Sequence, residues 1–354
     1  MYTLGKKIRM SVFGKSHAPC VGCVLEGIPQ GTEIDIPAME RELALRRPSK
    51  GIGTDRVEKD APAIMCGVNA GKADGNPIII EIMNGDVDDS KYLPFMETPR
   101  PGHADLPALL DLPKFDVCGG GQFSGRLTAP IVAAGSVAKQ MLAAKGIRIA
   151  AFCRSIGTVE DSMERTFEDA LESRNFPTRA CDADTDSRMY DCIMGARKDA
   201  DSVGGIVECI VTGLPIGFGG IWFESLDAEL ARAMFGIPAC KGVEFGKGFG
   251  ITRMRGSQSN DAYRFDENGR IVTKTNNMGG IVGGMANGAD VVFRVAFKPT
   301  PSIGAKQETV NLKTCENAEL EIKGRHDPCI APRAVSVVEA MAALVLVDQM
   351  ERGL

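Results

Sequence analysis

The chain is predicted to be an α+β fold, a layered sandwich of long helices between antiparallel sheets, with an internal pseudo-twofold duplication. Three observations predict it. Two long apolar segments, after Pro130 and after Pro332, read as helices buried enough to lie between sheets. Strand-like runs come as strand, helix, strands, helix rather than as a strict βαβ alternation, which favours antiparallel sheets over a doubly wound parallel one. The same order of segments also occurs twice.

The echo runs through three stretches. Gly22 to Gly31 is a strand entering a turn, followed by a helix containing Met39–Ala44; Glu208 to Gly217 and Leu226–Ala231 repeat it. Gly71–Gly75 leads into the strand Pro77–Met83, as Gly279–Gly288 leads into Asp290–Phe297. Gly125-Arg126, Ala129-Pro130, Ser136-Val137 and Met141 match Gly324-Arg325, Ala331-Pro332, Ser336-Val337 and Met341. The expectation is one domain over 1–354, made of two similar halves, about 10–150 and 200–350, joined by 157–200. That junction is expected to hold an acidic helix, Val159–Ser173, and another near Ser187–Ala196. Asp182, Asp184 and Asp186 imitate a calcium loop, but Ser187 stands where Gly is required and Ile193 where Glu is required. They read as a solvated turn.

The last helix has an unusual start. Pro332 suits a first turn, since its missing N–H would be unpaired there. Val335, Val338, Met341, Ala342, Val345 and Leu346 follow at helical spacing. No Ser, Thr, Asp or Asn stands directly before Pro332 to cap the turn, and Arg325, His326 and Arg333 crowd an end that already carries partial positive charge. Such a start suits a bound anion. Asp327 among these cations is expected to be ionised; a structural Arg–Asp bridge would use the same residues.

The totals exclude several classes. A net charge of -5 gives no general attraction for nucleic acid, and 6% aromatics makes stacking platforms improbable. No apolar run is long enough to span a membrane. MYTLGKKIRMSVFG lacks a signal-peptide core, so a cytoplasmic protein with reduced thiols is expected. Cys20 and Cys23 form a CxxC without a second pair, and it enters a strand-like run rather than a helix, against a zinc or redox site.

Chemistry concentrates in loops. The three histidines, His17, His103 and His326, all lie in Gly- or Pro-rich segments near Ser, Arg or Asp, which suits acid–base work near neutral pH. HExxH and GxSxG are absent, so a zinc hydrolase or a serine hydrolase elbow is disfavoured. Gly14-Lys15-Ser16 resembles the end of a P-loop, but Arg9 occupies the first glycine position. Gly119-Gly120-Gly121, after a short strand expected at Phe115–Cys118, makes a poor dinucleotide fingerprint but a reasonable anion loop with Ser124 and Arg126 as donors. Arg46, Arg47, Arg56, Arg100, Arg126, Arg325 and Arg333 supply forks for carboxylate or phosphate, if they converge. Gly279–Gly288 and Lys298–Ser302 bracket a strand and suit a phosphorylated cofactor, or simply tight turns.

Taken in order, Gly14–His17, Arg100–Asp105, Gly119–Thr128, Lys241–Gly246, Arg255–Gln258, Thr275–Asn287, Lys298–Ser302 and Gly324–Arg333 resemble the chorismate synthase family over nearly the whole chain. The resemblance implies conversion of 5-enolpyruvylshikimate 3-phosphate to chorismate and phosphate, the last common step of aromatic amino acid biosynthesis. It implies reduced FMN without net redox change, NADPH or a separate flavin reductase as the source of electrons, and a homotetramer. By resemblance, His103 protonates or stabilises the leaving phosphate, and His17 with Ser16 protonates the reduced flavin. Asp327 serves the flavin N5, and Ser124 belongs to a serine relay. Arg46, Arg47, Arg100, Arg126 and Arg325 hold substrate anions. Flavin contacts fall to Gln122, Phe123, Ser124, Ala239, Gly283, Asn287, Lys298, Pro299, Thr300, Pro301, Ser302 and Arg325. No metal is implied.

Three departures stand out. Lys15 and Ala18 replace the family's usual Glu and Gly around Ser16-His17, inverting a charge beside the imidazole. Gln122-Phe123-Ser124-Gly125-Arg126 replaces Arg-Ser-Ser-Ala-Arg, removing a cation and a hydroxyl. The segment after Arg47-Pro48 is about one residue short, leaving Lys50 or Arg56 as the stand-in for a second substrate arginine. The residues alone also fit a flavin-dependent oxidoreductase, or a non-catalytic protein that binds a phosphorylated ligand.

Overall fold

A computed structural model describes residues 2–48, 51–53, 59–85, 92–112, 115–322 and 327–354. Side-chain alternation determines its two main sheets. Within Ile78–Met83, Ile78, Ile80 and Ile82 are fully buried while the intervening residues are not. Within Val291–Phe297, Val291, Phe293, Val295 and Phe297 are buried in the same rhythm.

In chain order the elements are β1 Tyr2–Leu4, β2 Arg9–Gly14, β3 Cys20–Glu26, α1 Ile36–Arg46, β4 Pro62–Cys66, the hairpin β5 Val68–Asn69 and β6 Lys72–Ala73, β7 Ile78–Met83, α2 Asp105–Asp111 and α3 Thr128–Ala143. Next come β8 Arg148–Ile156, β9 Val159–Glu160, α4 Phe167–Glu172, α5 Ala183–Lys198, β10 Gly205–Thr212, α6 Leu226–Phe235 and β11 Cys240–Phe245. The chain ends with α7 Gly256–Ser259, β12 Tyr263–Phe265, β13 Ile271–Thr273, β14 Ile281–Val282, β15 Met285–Ala286, β16 Val291–Phe297, β17 Gln307–Asn311, β18 Glu316–Leu320 and α8 Ala331–Arg352. One five-stranded sheet has the order β1-β2-β3-β7-β4 and the other β11-β16-β10-β8-β9; every pairing is antiparallel.

The helix α3 packs on β2, β3 and β7; α8 packs on β8 and β10; and the two helices pack on each other. Both are buried on almost every side, as helices enclosed by other elements must be. Gly135 permits their close approach: a Cβ there would lie 2.3 Å from that of Ala340. Among the described residues, no helix is long and apolar enough to cross a membrane.

Several local expectations need correction. The helix expected over Val159–Ser173 begins only at Phe167, because Thr166 and Asp169 form a capping box there and the preceding residues make β9 and a turn. The strand β8, which straddles the end of the expected first half near residue 150, pairs with β10 in the second sheet. The helix expected near Ser187–Ala196 starts earlier, at Ala183, where Asp182 caps it by accepting the Thr185 N–H at 2.8 Å. That cap accounts for the first of the three aspartates. Phe115–Cys118 forms no strand; a 3₁₀ turn starts at Cys118. In β3, burial pushes the Cys23 thiol up to about 12, which makes it inert.

A charged network crosses the helix layer. Lys139 of α3 bridges Glu42 of α1 and Glu339 of α8, Arg174 also reaches Glu339, and Glu339 accepts the Ala151 N–H of β8 at 2.8 Å. Burial opposes ionisation of Glu339, but Lys139 and Arg174 outweigh it and hold the carboxyl below its ordinary range. Burial likewise opposes charge on Lys139, yet Glu339 and Glu42 raise it above the usual ammonium value. A lowered carboxyl stabilises the fold above its unfolded pKa, about 4.3, and that contribution is lost as pH falls through the folded value. A raised ammonium stabilises below about 10.4, and its contribution is lost as pH rises through the folded value. The network therefore contributes throughout the neutral range. Glu339→Gln is expected to cost about 3–5 kcal/mol at neutral pH, since it strands buried cations. The variant should also lose less stability than the parent on acidification toward about pH 3. Urea denaturation at the two pH values checks both.

Candidate active site

The charged site begins where three helix ends meet. Arg46, the last residue of α1, is 1% exposed and donates from Nη2 to Asp60 Oδ2 at 2.6 Å. Its Nη1 reaches Thr128 Oγ1, at the start of α3, at 3.5 Å. Its carbonyl accepts from Nε of Arg333, in the first turn of α8, at 3.2 Å. Arg333 Nη1 in turn donates to Asp327 Oδ2 at 2.7 Å. Arg126 enters from the other side: Nη1 pairs with Asp60, Nε donates to Asn84 Oδ1 at 2.8 Å, and Nη2 to the Met83 carbonyl at 3.1 Å. Three guanidiniums thus face two carboxylates beside the positive ends of α3 and α8. Burial opposes the charge on Asp60, but Arg46 and Arg126 outweigh it and hold its carboxyl below the usual range. Arg47, next along, donates to the Lys59 carbonyl and keeps a buried Nε without a partner.

The Ser16–His17 loop joins β2 to β3 and sits above this cluster. Asn84 Nδ2 donates to the carbonyls of Lys15 at 3.1 Å and Ala18 at 2.7 Å, holding the loop on both sides. Gly119 lies flat against it: a Cβ there would come within 2.4 Å of His17 Cδ2 and 2.7 Å of Ser16 Oγ. Its φ of +61° and the +81° and +53° of Gly120 and Gly121 explain the run of glycines. The loop also gains an ion pair, since the departure at Lys15 is matched by Asp116 at 3.5 Å. Asp116 Oδ1 accepts the Cys118 N–H that opens the glycine turn. Ser124 accepts the Arg126 N–H at 3.3 Å, while Phe123 is exposed beside Phe115.

His17 stands edge-on to Tyr92, with ring centres 5.2 Å apart. Tyr92 also flanks the Arg100 guanidinium at 5.7 Å, with Phe95 at 4.6 Å on the same cation. Arg100 differs from the anion ligand expected. It is 6% exposed and forms a two-pronged pair with Asp105, Nε–Oδ2 2.6 Å and Nη2–Oδ1 2.8 Å. Its charge is already neutralised, and the pair braces the loop carrying His103.

His103 Nε2 is 2.7 Å from Ser302 Oγ. Lys298 Nζ donates to the Gly102 carbonyl, so the segments holding His103 and Lys298–Ser302 are clasped twice. Ser202 Oγ donates to the Thr300 carbonyl at 2.7 Å, and the next residue, Val203, donates its N–H to the Pro328 carbonyl at 2.8 Å. Contacts therefore close into a ring: His17, Tyr92, Arg100, the His103 loop, Ser302, Thr300, Ser202-Val203, Pro328, Asp327, Arg333, Arg46, Asp60, Arg126, Asn84 and back to the His17 loop.

Ala239 joins this ring, its carbonyl accepting the Lys298 N–H at 3.1 Å. Gly283 and Asn287 do not. They lie at the opposite end of the seven-residue strand β16 from Lys298, roughly 20 Å away by strand rise. There the Gly284 carbonyl accepts from Leu226, at the far end of α6 from Ala239. Asn287 instead lines an apolar groove of about 520 Å³ with Ile216, Tyr263, Phe265, Val282 and Met285. Lys50, Arg56, Arg325 and His326 lie outside the described residues.

The sequence reading missed Asp60, Asn84, Tyr92 and Asp105. Asp60 carried no signal beyond a charge, whereas Asp105 stood within the quoted Arg100–Asp105 segment and could have been paired with Arg100 on spacing.

A phosphorylated planar cofactor suits what is present. Within the ring, the Thr300 hydroxyl is buried without a hydrogen-bond partner. Burial, and then the neighbouring Lys241, depress the Lys298 ammonium below its usual value, as expected for cations awaiting an anion.

Fold and site together bring arginine and histidine loops from both parts of the chain into one continuous set of contacts. The family model for chorismate synthase matches residues 8–350. The chain is 46% identical to the chorismate synthase of Thermococcus gammatolerans over 350 residues, 98% of this chain and 97% of that protein. It is 44% identical to that of Thermococcus kodakarensis, over 98% and 97%. A crystal structure of chorismate synthase superposes with a TM-score of 0.79 at 28% identity, covering 99% of this chain and 93% of that one. The chain belongs to the chorismate synthase family, and it is a lyase.

Asp60→Asn is expected to destabilise the fold by about 3–5 kcal/mol, because Arg46 and Arg126 would lose the one buried charge they share. Chemical denaturation of the variant measures it.

Proposed function

We propose that this chain eliminates phosphate from 5-enolpyruvylshikimate 3-phosphate to give chorismate, with reduced FMN bound beside the substrate. The closed ring of contacts carrying His17, His103 and Asp327 is the observation that supports it most. A substrate with two carboxylates and a phosphate needs concentrated positive charge even in a chain whose net charge is -5. Arg46, Arg126 and Arg333 supply that charge next to two helix starts.

The reaction breaks the C3–O bond to phosphate and the C6–H bond, with no net oxidation. His103, held by Ser302, is placed to give a proton to the departing phosphate, the kind of charge neutralisation that dominates such steps. Asp327 is oriented by Arg333 as a proton acceptor, and His17 is a second proton carrier fixed against Tyr92. Thr300, Ser302 and Lys298 would hold the cofactor, with Gln122, Phe123 and Ser124 along another edge. When bound, the reduced flavin supplies transient electron density that eases C–O cleavage. Arg100 acts through the loop it braces.

We further infer a layered, duplicated architecture and a homotetramer. The order β2-β3-α1-β4-β7-α3 recurs as β8-β10-α6-β11-β16-α8, and the corresponding strands are adjacent in the same order in each sheet. The second half then starts at β8. Trp222 and Phe223 are 82% and 91% exposed, near the groove that Asn287 lines, an apolar surface that suits another copy. If Gly283 and Asn287 contact the flavin, they reach it from a neighbouring copy. Trp222→Glu is expected to shift sedimentation velocity from a tetramer to smaller species.

An anaerobic assay of phosphate release with reduced FMN tests the activity. His103→Ala is expected to slow release by about 10²–10⁴-fold while flavin affinity changes little. Equal losses in both would contradict its assigned role.

A further inference from the structure

We propose that Asn84 is a positioning residue that sets the His17 loop against Arg126, coupling the anion site to the proton carrier; this rests on the function proposed above. A side-chain amide offers two N–H donors and a carbonyl acceptor. Asn84 uses all three: Nδ2 on the carbonyls of Lys15 (3.1 Å) and Ala18 (2.7 Å), and Oδ1 on Arg126 Nε (2.8 Å). Its backbone N–H adds a bond to the Pro19 carbonyl at 3.0 Å. The two acceptor carbonyls flank Ser16 and His17, so the amide fixes both ends of that short loop.

Sheet register dictates this placement. Cys20 pairs with Met83 in the β3–β7 ladder, so the residue just past β7 falls beside the loop just before β3. The same exit puts the Met83 carbonyl on Arg126 Nη2. Arg126 is therefore fixed by two consecutive residues, one of which also holds His17. An anion that pulls on the Arg126 guanidinium acts on the imidazole loop through one planar amide. No other side chain of this size serves. Aspartate keeps the acceptor but turns a second lone-pair oxygen toward two carbonyls, and alanine removes all three side-chain bonds.

The readout is the imidazole resonances of the full-length protein, which has only three histidines. His17→Asn and His103→Asn assign them. In Asn84→Ala and Asn84→Asp the His17 resonances are expected to shift or broaden while those of His103 stay in place. Turnover should fall by about 10²-fold in both, within the range for a misplaced proton carrier. Asn84→Asp, which keeps the Arg126 bond, should retain more substrate affinity than Asn84→Ala. A folded Asn84→Ala with unchanged His17 resonances and turnover within about twofold would overturn the proposal. So would equal disturbance of His17 and His103, which marks a merely structural role. If Asn84→Ala fails to fold, the nearly isosteric Asn84→Asp decides by the same criteria. If the parent protein releases no phosphate, the functional reading fails, and the imidazole resonances still decide what Asn84 does.

Discussion

Positive charge gathered at the starts of two buried helices is the constraint on which the rest of this structure depends. α3 and α8 must lie side by side for the apolar core to close, and Gly135 against Ala340 brings them together. Their first turns then point into one region without a side-chain cap on either. Arg46, Arg126 and Arg333 add cations to that region. Unbalanced, such a cluster would disrupt a core. Asp60 pairs with Arg46 and Arg126, and Asp327 with Arg333, so carboxylates stand among the cations at these helix starts. On the function proposed above, the anions of the substrate would bind at this meeting of helix starts.

The network at Glu339 shows the opposite arrangement of the same elements. Roughly 9 Å along α8 from Arg333 by helix rise, Lys139, Glu42, Glu339 and Arg174 balance two cations against two carboxylates. There the carboxylate of α8 is satisfied by cations and a backbone N–H, and nothing is left over for a ligand.

How much of this was legible in the chain follows from how local each signal is. α8 was plain because its apolar residues surround the helix and Pro332 marks its first turn. Asp182, Asp184 and Asp186 were read as a solvated turn, but they open α5 instead, Asp182 as its cap and the other two in its first turn. Val159–Ser173 was misread because a capping box deep inside the segment decides where the helix starts. β8 was assigned to neither half, because strand partners are chosen by pairing across the sheet, and no residue within Arg148–Ile156 announces its partner. The histidine and arginine loops could be named individually. Their connectors could not, because Asp60, Asn84 and Tyr92 gain meaning from Arg126, Lys15 and His17, which lie dozens of positions away.

The chain's departures from its family's usual loops become intelligible on the same basis. Lys15 stands where an anion is usual, and Asp116 supplies the opposite charge from the neighbouring loop while also opening the glycine turn that lies on His17. Both side chains are well exposed, so the pair itself contributes little energy. What is preserved is the geometry: the glycine run and the Ser16–His17 loop still meet face to face. Phe123 follows similar logic, because its ring lies on Phe115 rather than among the buried charges. Substitutions at the rim leave the inner contacts intact, and it is those contacts that join His17, His103 and Asp327 in one continuous chain.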